Sequence, residues 1–210
     1  MLKKHASLLG IIIALSLLVI STTHYPGGNQ QDSKAIGYSW LHNYVSNLFG
    51  EKAVNGADNP ARPWAVAGML FFSASFALFF IQYSSRIPKK SSATIIKYFG
   101  VGAMVCVFLA VTPLHDLMVT ISSTLILVGI FYITVFVFMS KLHLFKILCV
   151  VFMLLLYTCM FIYYTRVYLE ILPVMQKLVL VTAITWMLAL HYYTTAADFK
   201  QKEKKAKVSV

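Results

Sequence analysis

The stretch LMVTISSTLILVGIFYITVFVFM, Leu117 to Met139, runs twenty-three residues without a charge, and its reading decides the fold. As a helix it would be about 35 Å long, enough to cross the roughly 30 Å hydrocarbon layer of a bilayer. The run is continuous and lacks the alternation of a membrane barrel strand, so a helix is the structure that satisfies its backbone in lipid. Working outward, similar runs occur near Ala6–Thr22, Pro63–Tyr83, Thr94–Thr112, Leu144–Tyr164 and Val174–Tyr193. The sequence therefore predicts an all-α fold, a polytopic bundle of six transmembrane helices forming one membrane domain over residues 1–210. A mean hydropathy of +0.75 and 59% apolar residues exclude a soluble domain of this length, whose core could not hold so much apolar surface.

The basic residues are sorted between alternate loops. Lys3 and Lys4, the Arg86–Lys90 loop with Lys97, the Lys141–Lys146 turn and the Lys200–Lys207 tail hold thirteen of the eighteen. On the other side Lys34, Lys52, Arg62, Arg166 and Lys177 are matched by Asp32, Glu51, Asp58, Asp116 and Glu170. Retention of Lys and Arg at the cytoplasmic face orients the chain with both termini cytoplasmic. A bacterial inner (cytoplasmic) membrane is the expected location. The excess charge suits anionic headgroups, and the basic tail at 194–210 accompanies no folded nucleic-acid module. Membrane lipids and other membrane proteins are the expected partners, with no nucleic acid. The first helix reads as an uncleaved anchor, since Ser21-Thr22-Thr23 is a poor cleavage site.

Inside the spans no Asp, Glu or Arg falls at mid-depth, which argues against a proton relay or charge-coupled transport. Cys106, Cys149 and Cys159 lack redox or metal spacing and read as packing residues. Gly102, Cys106 and Ala110 form a small-residue stripe expected to let a neighbouring helix approach the third span. Phe71, Phe72, Phe76, Phe79 and Phe80 are expected to encircle the second span as a lipid or partner surface.

The outer loop, residues 23–62, is the one segment long enough for structure outside the bilayer. Trp40, Leu41, Tyr44, Val45, Leu48 and Phe49 recur at helical spacing, predicting an amphipathic helix over Ser39–Phe49 with His42, Asn43, Ser46 and Asn47 on its polar face. Asn59 closes a turn before Pro63, which suits the first helical position. A tight hairpin at Pro113–Asp116 joins the third and fourth spans, with Asp116 expected to cap the fourth helix.

The outward end thus collects the polar groups that could carry chemistry. Trp40, Tyr44, Asn43, Ser46, Asn59 and His115 are the expected ligand-binding residues at an outward-facing mouth. His115, Asp116, His42 and Asp58 are the candidates for acid, base or metal ligation, having the right donor types for zinc or iron but no diagnostic spacing. A serine mechanism would join Ser46 to His42 or His115, with Asp58 or Asp116 as orienter. No cofactor motif is present. The leading expectation is an integral membrane protein that binds or positions a lipid or a partner membrane protein. The alternatives are a membrane-embedded metal-dependent hydrolase of outer-leaflet lipid headgroups and an accessory subunit of a larger complex.

The segments Leu41–Gly50, Asn59-Pro60 with Ala67-Gly68, and Thr112–Asp116 resemble the bacterial membrane family catalogued as domain of unknown function nine-nine-eight, over about the first five spans. The layout is also distantly similar to the DRAM group of six-span eukaryotic membrane proteins. The resemblance implies a six-helix bundle with a polar outer mouth and matches at Ser46, Asn59, Pro113 and His115. Where the family motif carries an acidic residue after its serine, this chain has Asn47, which puts carboxylate chemistry there in doubt.

Overall fold

A computed structural model describes residues 2–200. The long helices are α1 (Leu2–Thr23), α2 (Arg62–Ser84), α3 (Lys90–Leu109), α4 (His115–Met139), α5 (His143–Thr165) and α6 (Leu172–Tyr193). Six helices are long and apolar enough to cross a membrane, which fits a multi-pass membrane protein. Among the described residues there is no strand, only the isolated bridges Gly27 to Ile36 and Lys52 to Asp58. A short helix α7 (Ala196–Lys200) opens the basic tail, whose remainder, with Lys202 to Lys207, lies outside the described residues.

Successive long helices pack on one another from α1 to α6, and α6 returns against α2. The shared core is aromatic and aliphatic, with Phe79, Phe80, Ile130, Ile133 and Met187 fully buried around Trp186. Four phenylalanines expected to face outward therefore point inward: Phe72, Phe76, Phe79 and Phe80 are buried, and Phe71 alone of that set is exposed. The outer faces of the helices remain apolar, with Ile12, Leu70, Val105, Phe131, Leu154 and Val181 exposed, as expected where lipid is the solvent.

Close approach of α2 and α3 runs through Gly100 rather than through the Gly102 stripe. A β-carbon on Gly100 would lie 2.2 to 2.7 Å from Phe80 ring atoms, whereas one on Gly102 would meet only Leu125 Cδ1 at 3.6 Å. The helix period explains the difference, because residues 100 and 102 lie about 200° apart around α3.

The turn between α3 and α4 spans Ala110–Leu114, so α4 begins at His115 with Leu114 as its cap residue. Asp116 sits inside the first turn, and the expected cap is not formed.

The predicted helix over Ser39–Phe49 is replaced by turns followed by a 3-10 helix, η1 (Val45–Phe49). Side chains take the backbone groups that a continuous helix would need: Ser39 N–H donates to Asn43 Oδ1 at 2.8 Å and Tyr44 N–H to Asn47 Oδ1 at 2.8 Å. Tyr44 is extended, with φ −68° and ψ 151°, which breaks any helix there.

Candidate functional site

Residues 25–61 fold into a cap on the bundle, with Tyr25, Leu48, Phe49, Ala53 and Ala61 packed on Leu18 of α1 and Ala65 of α2. Its folding depends on Gly28, which has φ +80° and whose added β-carbon would lie 2.5 Å from Asn55 N. Only glycine satisfies both conditions. Burial pushes the Tyr25 and Tyr38 phenols above their ordinary value, and Tyr25 adds to the effect on Tyr38. Both stay neutral, Tyr25 accepting from Val54 N–H at 3.0 Å and Tyr38 donating to Asn43 O at 3.4 Å.

Three hydrogen bonds tie the cap to α6 and the segment before it. Val45 N–H donates to Gln176 Oε1 at 3.3 Å, Lys177 Nζ to Asn43 O at 2.6 Å, and Tyr44 Oη to Leu169 O at 3.4 Å. Lys177 also donates to Pro173 O at 3.0 Å and lies over the Tyr38 ring. The cation read in the sequence as balancing outer-loop acids therefore holds the cap to the last span.

Asn43 and Asn59, expected at the mouth, work inside the fold. Asn43 is wholly buried and donates to Gly28 O at 2.7 Å and Asn47 Oδ1 at 3.3 Å while accepting from Ser39. Asn59 donates to Gly50 O at 2.9 Å and Leu48 O at 3.3 Å and accepts from Ala61 N–H at 3.2 Å, pinning the end of η1 to the start of α2.

The four residues considered for acid, base or metal ligation fall into separate pairings. His42 Nδ1 lies 3.1 Å from Ser39 Oγ. Asp58 is paired with Lys52 on the cap surface, and the hydrogen bond and charge of Lys52 hold its carboxyl below the usual range. His115 and Asp116 do come together, with Nδ1 and Oδ1 3.1 Å apart, and Asp116 also accepts from Tyr163 Oη at 2.6 Å. No cluster of three or more His, Cys, Asp or Glu suited to a metal ion is formed among the described residues. A carboxylate can only accept, so Asp116 fixes the proton on His115 Nδ1 and leaves Nε2 as the acceptor of the neutral ring.

His115 and Ser46 stand where two cavities meet. The outer one, about 410 Å³, is a cleft at the surface lined by Glu51, Arg62, Thr112 and Pro113. The inner one, about 270 Å³, lies under η1 between the helices and is walled by Phe76, Phe80, Met104, Val119, Phe152 and Trp186. Ser46, Phe49, Ala110 and His115 line both. No family model, curated protein or solved structure matches this chain.

The polar supply inside the inner cavity is small. Ser122 and Ser123 donate their hydroxyls back to Val119 O and Thr120 O, which leaves lone pairs but no free donor from either. Gln176 completes the polar lining. A space of this kind accepts hydrocarbon and few hydrogen bonds, while the outer cleft offers an imidazole and the Glu51–Arg62 ion pair, its atoms 3.2 Å apart. Of the residues singled out from sequence, Ser46 and His115 line this path. Trp40 and Tyr44 do not: Trp40 stands exposed against Tyr38 and Tyr44 is spent on Leu169. Sequence reading missed Ala110 and Phe49 as the remaining threshold residues, since neither carries a polar signal.

Proposed function

We propose that this protein sits in a bacterial inner membrane with both termini cytoplasmic and binds an amphiphilic membrane lipid through its outward-facing mouth. On this reading the headgroup occupies the outer cleft beside Glu51, Arg62 and His115, and the hydrocarbon passes the Ser46–His115 threshold into the inner cavity. The observation that carries the reading is the shared wall of the two cavities, which joins a charged entrance to an apolar interior in one path. Ligand sites of this mixed character are ordinarily mostly apolar with a few placed polar groups. Relationship to the domain-of-unknown-function nine-nine-eight family is part of the same proposal and rests on Ser46, Asn59, Pro113 and His115.

The test is lipid extraction and mass spectrometry of the detergent-purified protein beside Ala110→Phe, which fills the threshold. Wild type should carry an amphiphile enriched over the bulk membrane lipids, and the folded variant should lose it. Wild-type protein carrying only bulk lipid in bulk proportions would end the proposal.

A further inference from the structure

The opposite, lysine-rich end of the bundle has a cavity of its own, about 320 Å³, between the start of α3, the last turns of α4 and α7. Its polar wall is Lys89 and Ser92, and its apolar wall is chiefly Phe131, Val135, Phe136 and Met139. Lys89 is the cap residue of α3 and supplies no side-chain cap. The first backbone bond of the helix is Ala93 N–H to Lys89 O at 2.9 Å, so the N–H groups of Lys90, Ser91 and Ser92 have no partner within the helix. A helix start by itself is not a site. Here a second observation points to a ligand: Ser92 is 5% exposed, lines the cavity, and makes no hydrogen bond among the described residues. Its hydroxyl has no protein partner among those residues and opens into the cavity, where a ligand oxygen can accept its proton.

The chemistry of the site selects an anion with a hydrocarbon attached. Orphan N–H groups and the positive end of the α3 dipole favour a phosphate, and Lys89 adds a full charge. Lys90 neighbours it, and Asp198, the carboxylate at this end among the described residues, is occupied by Thr195 N–H at 2.7 Å and Thr195 Oγ1 at 2.9 Å. From that polar end Met139, Val135 and Phe131 descend α4 at four-residue spacing, all exposed on the outside of the bundle. They form an apolar track about 12 Å long.

We propose that the start of α3, with Lys89 and Ser92, binds the phosphate of an anionic phospholipid from the leaflet at the lysine-rich end, its acyl chain lying along Phe131, Val135 and Met139. This site is separate from the outward mouth and does not depend on it.

The test titrates the full-length detergent-purified protein with phosphatidylglycerol and with phosphatidylcholine of the same acyl chains, reading retained lipid by native mass spectrometry. Phosphatidylglycerol should be retained at lower concentration. Lys89→Gln, an exposed position whose change leaves the fold intact, should weaken that retention about fivefold, as expected for one basic residue at a membrane surface. Ser92→Ala should weaken it further, and Val135→Trp should remove it by filling the track. Equal retention of the two lipids, or undiminished phosphatidylglycerol binding by Lys89→Gln, would overturn the site. Inorganic phosphate that displaces the lipid and binds Val135→Trp as well as wild type would overturn the lipid assignment in favour of free phosphate.

Discussion

Replacing Asn43 by alanine separates scaffold from ligand site more sharply than any other change in the cap. The side chain is wholly buried and holds three groups at once: Gly28 O at 2.7 Å, Ser39 N–H at 2.8 Å and Asn47 Oδ1 at 3.3 Å. Alanine strands at least two backbone groups, each costing about 1–3 kcal/mol when left buried and unsatisfied. Partial access of water to Ser39, which is half-buried, reduces the sum to about 3 kcal/mol. The loss is local, because Asn43 joins the Gly28 turn to η1 and reaches no long helix by its side chain. Hydrogen exchange followed by mass spectrometry in detergent should show amides of residues 27–59 losing protection about a hundredfold, for about 3 kcal/mol, while α3 and α4 keep theirs. Unchanged exchange in the cap would refute the reasoning, and reduced lipid retention with an intact cap would return Asn43 to the ligand site.

Gly100→Ala should destabilise the protein by up to about 2 kcal/mol, since a β-carbon 2.2 Å from the Phe80 ring falls at the upper end of the about 1–3 kcal/mol that overpacking costs, against the roughly 1 kcal/mol gained in helix propensity. Thermal unfolding should show the loss and Phe80→Leu should relieve it, whereas a rise in melting temperature would contradict the close approach. Arg86→Lys should cost about 2–4 kcal/mol, because the guanidinium donates to Leu190 O at 2.9 Å, Thr194 O at 3.0 Å and His191 O at 3.0 Å and an ammonium cannot span those three carbonyls. The burial that lowers the Arg86 pKa from its ordinary value leaves it charged and raises the cost of losing a partner. Detergent melting curves would check it, and a lysine variant as stable as wild type would remove Arg86 as the clamp on the end of α6.

The spans were legible because each is a continuous apolar run, and lipid leaves the backbone little choice but helix. Boundaries moved where local chemistry intervened, as at Lys90, where α3 begins four residues before its apolar run. The cap was misread for a physical reason: Trp40 to Phe49 has helical spacing, yet Asn43 and Asn47 compete for the backbone and the buried set is Leu48 and Phe49 rather than a full stripe. Asn43, Asn59 and Lys177 looked like surface polar groups because sequence does not reveal which carbonyl a side chain will meet. Arg86 looked like one more topogenic charge for the same reason. Ser46 and His115 were identifiable as polar residues at the outer end, but the apolar threshold partners Phe49 and Ala110 carry no such mark.

The cap lies between the first and second spans, yet its ties reach Leu169, Gln176 and Lys177, 125 to 134 residues later in the chain. At about 5–20 residues per second of synthesis, roughly ten seconds pass between translation of the cap and of its anchors. During that interval the roof of the inner cavity is held by α1 and α2 alone, and Asn43 O and Val45 N–H must be served by water. Completion of the molecule therefore waits on arrival of the last long helix, and a nascent chain halted after α5 would present a cap packed on α1 and α2 but not yet tied to α6.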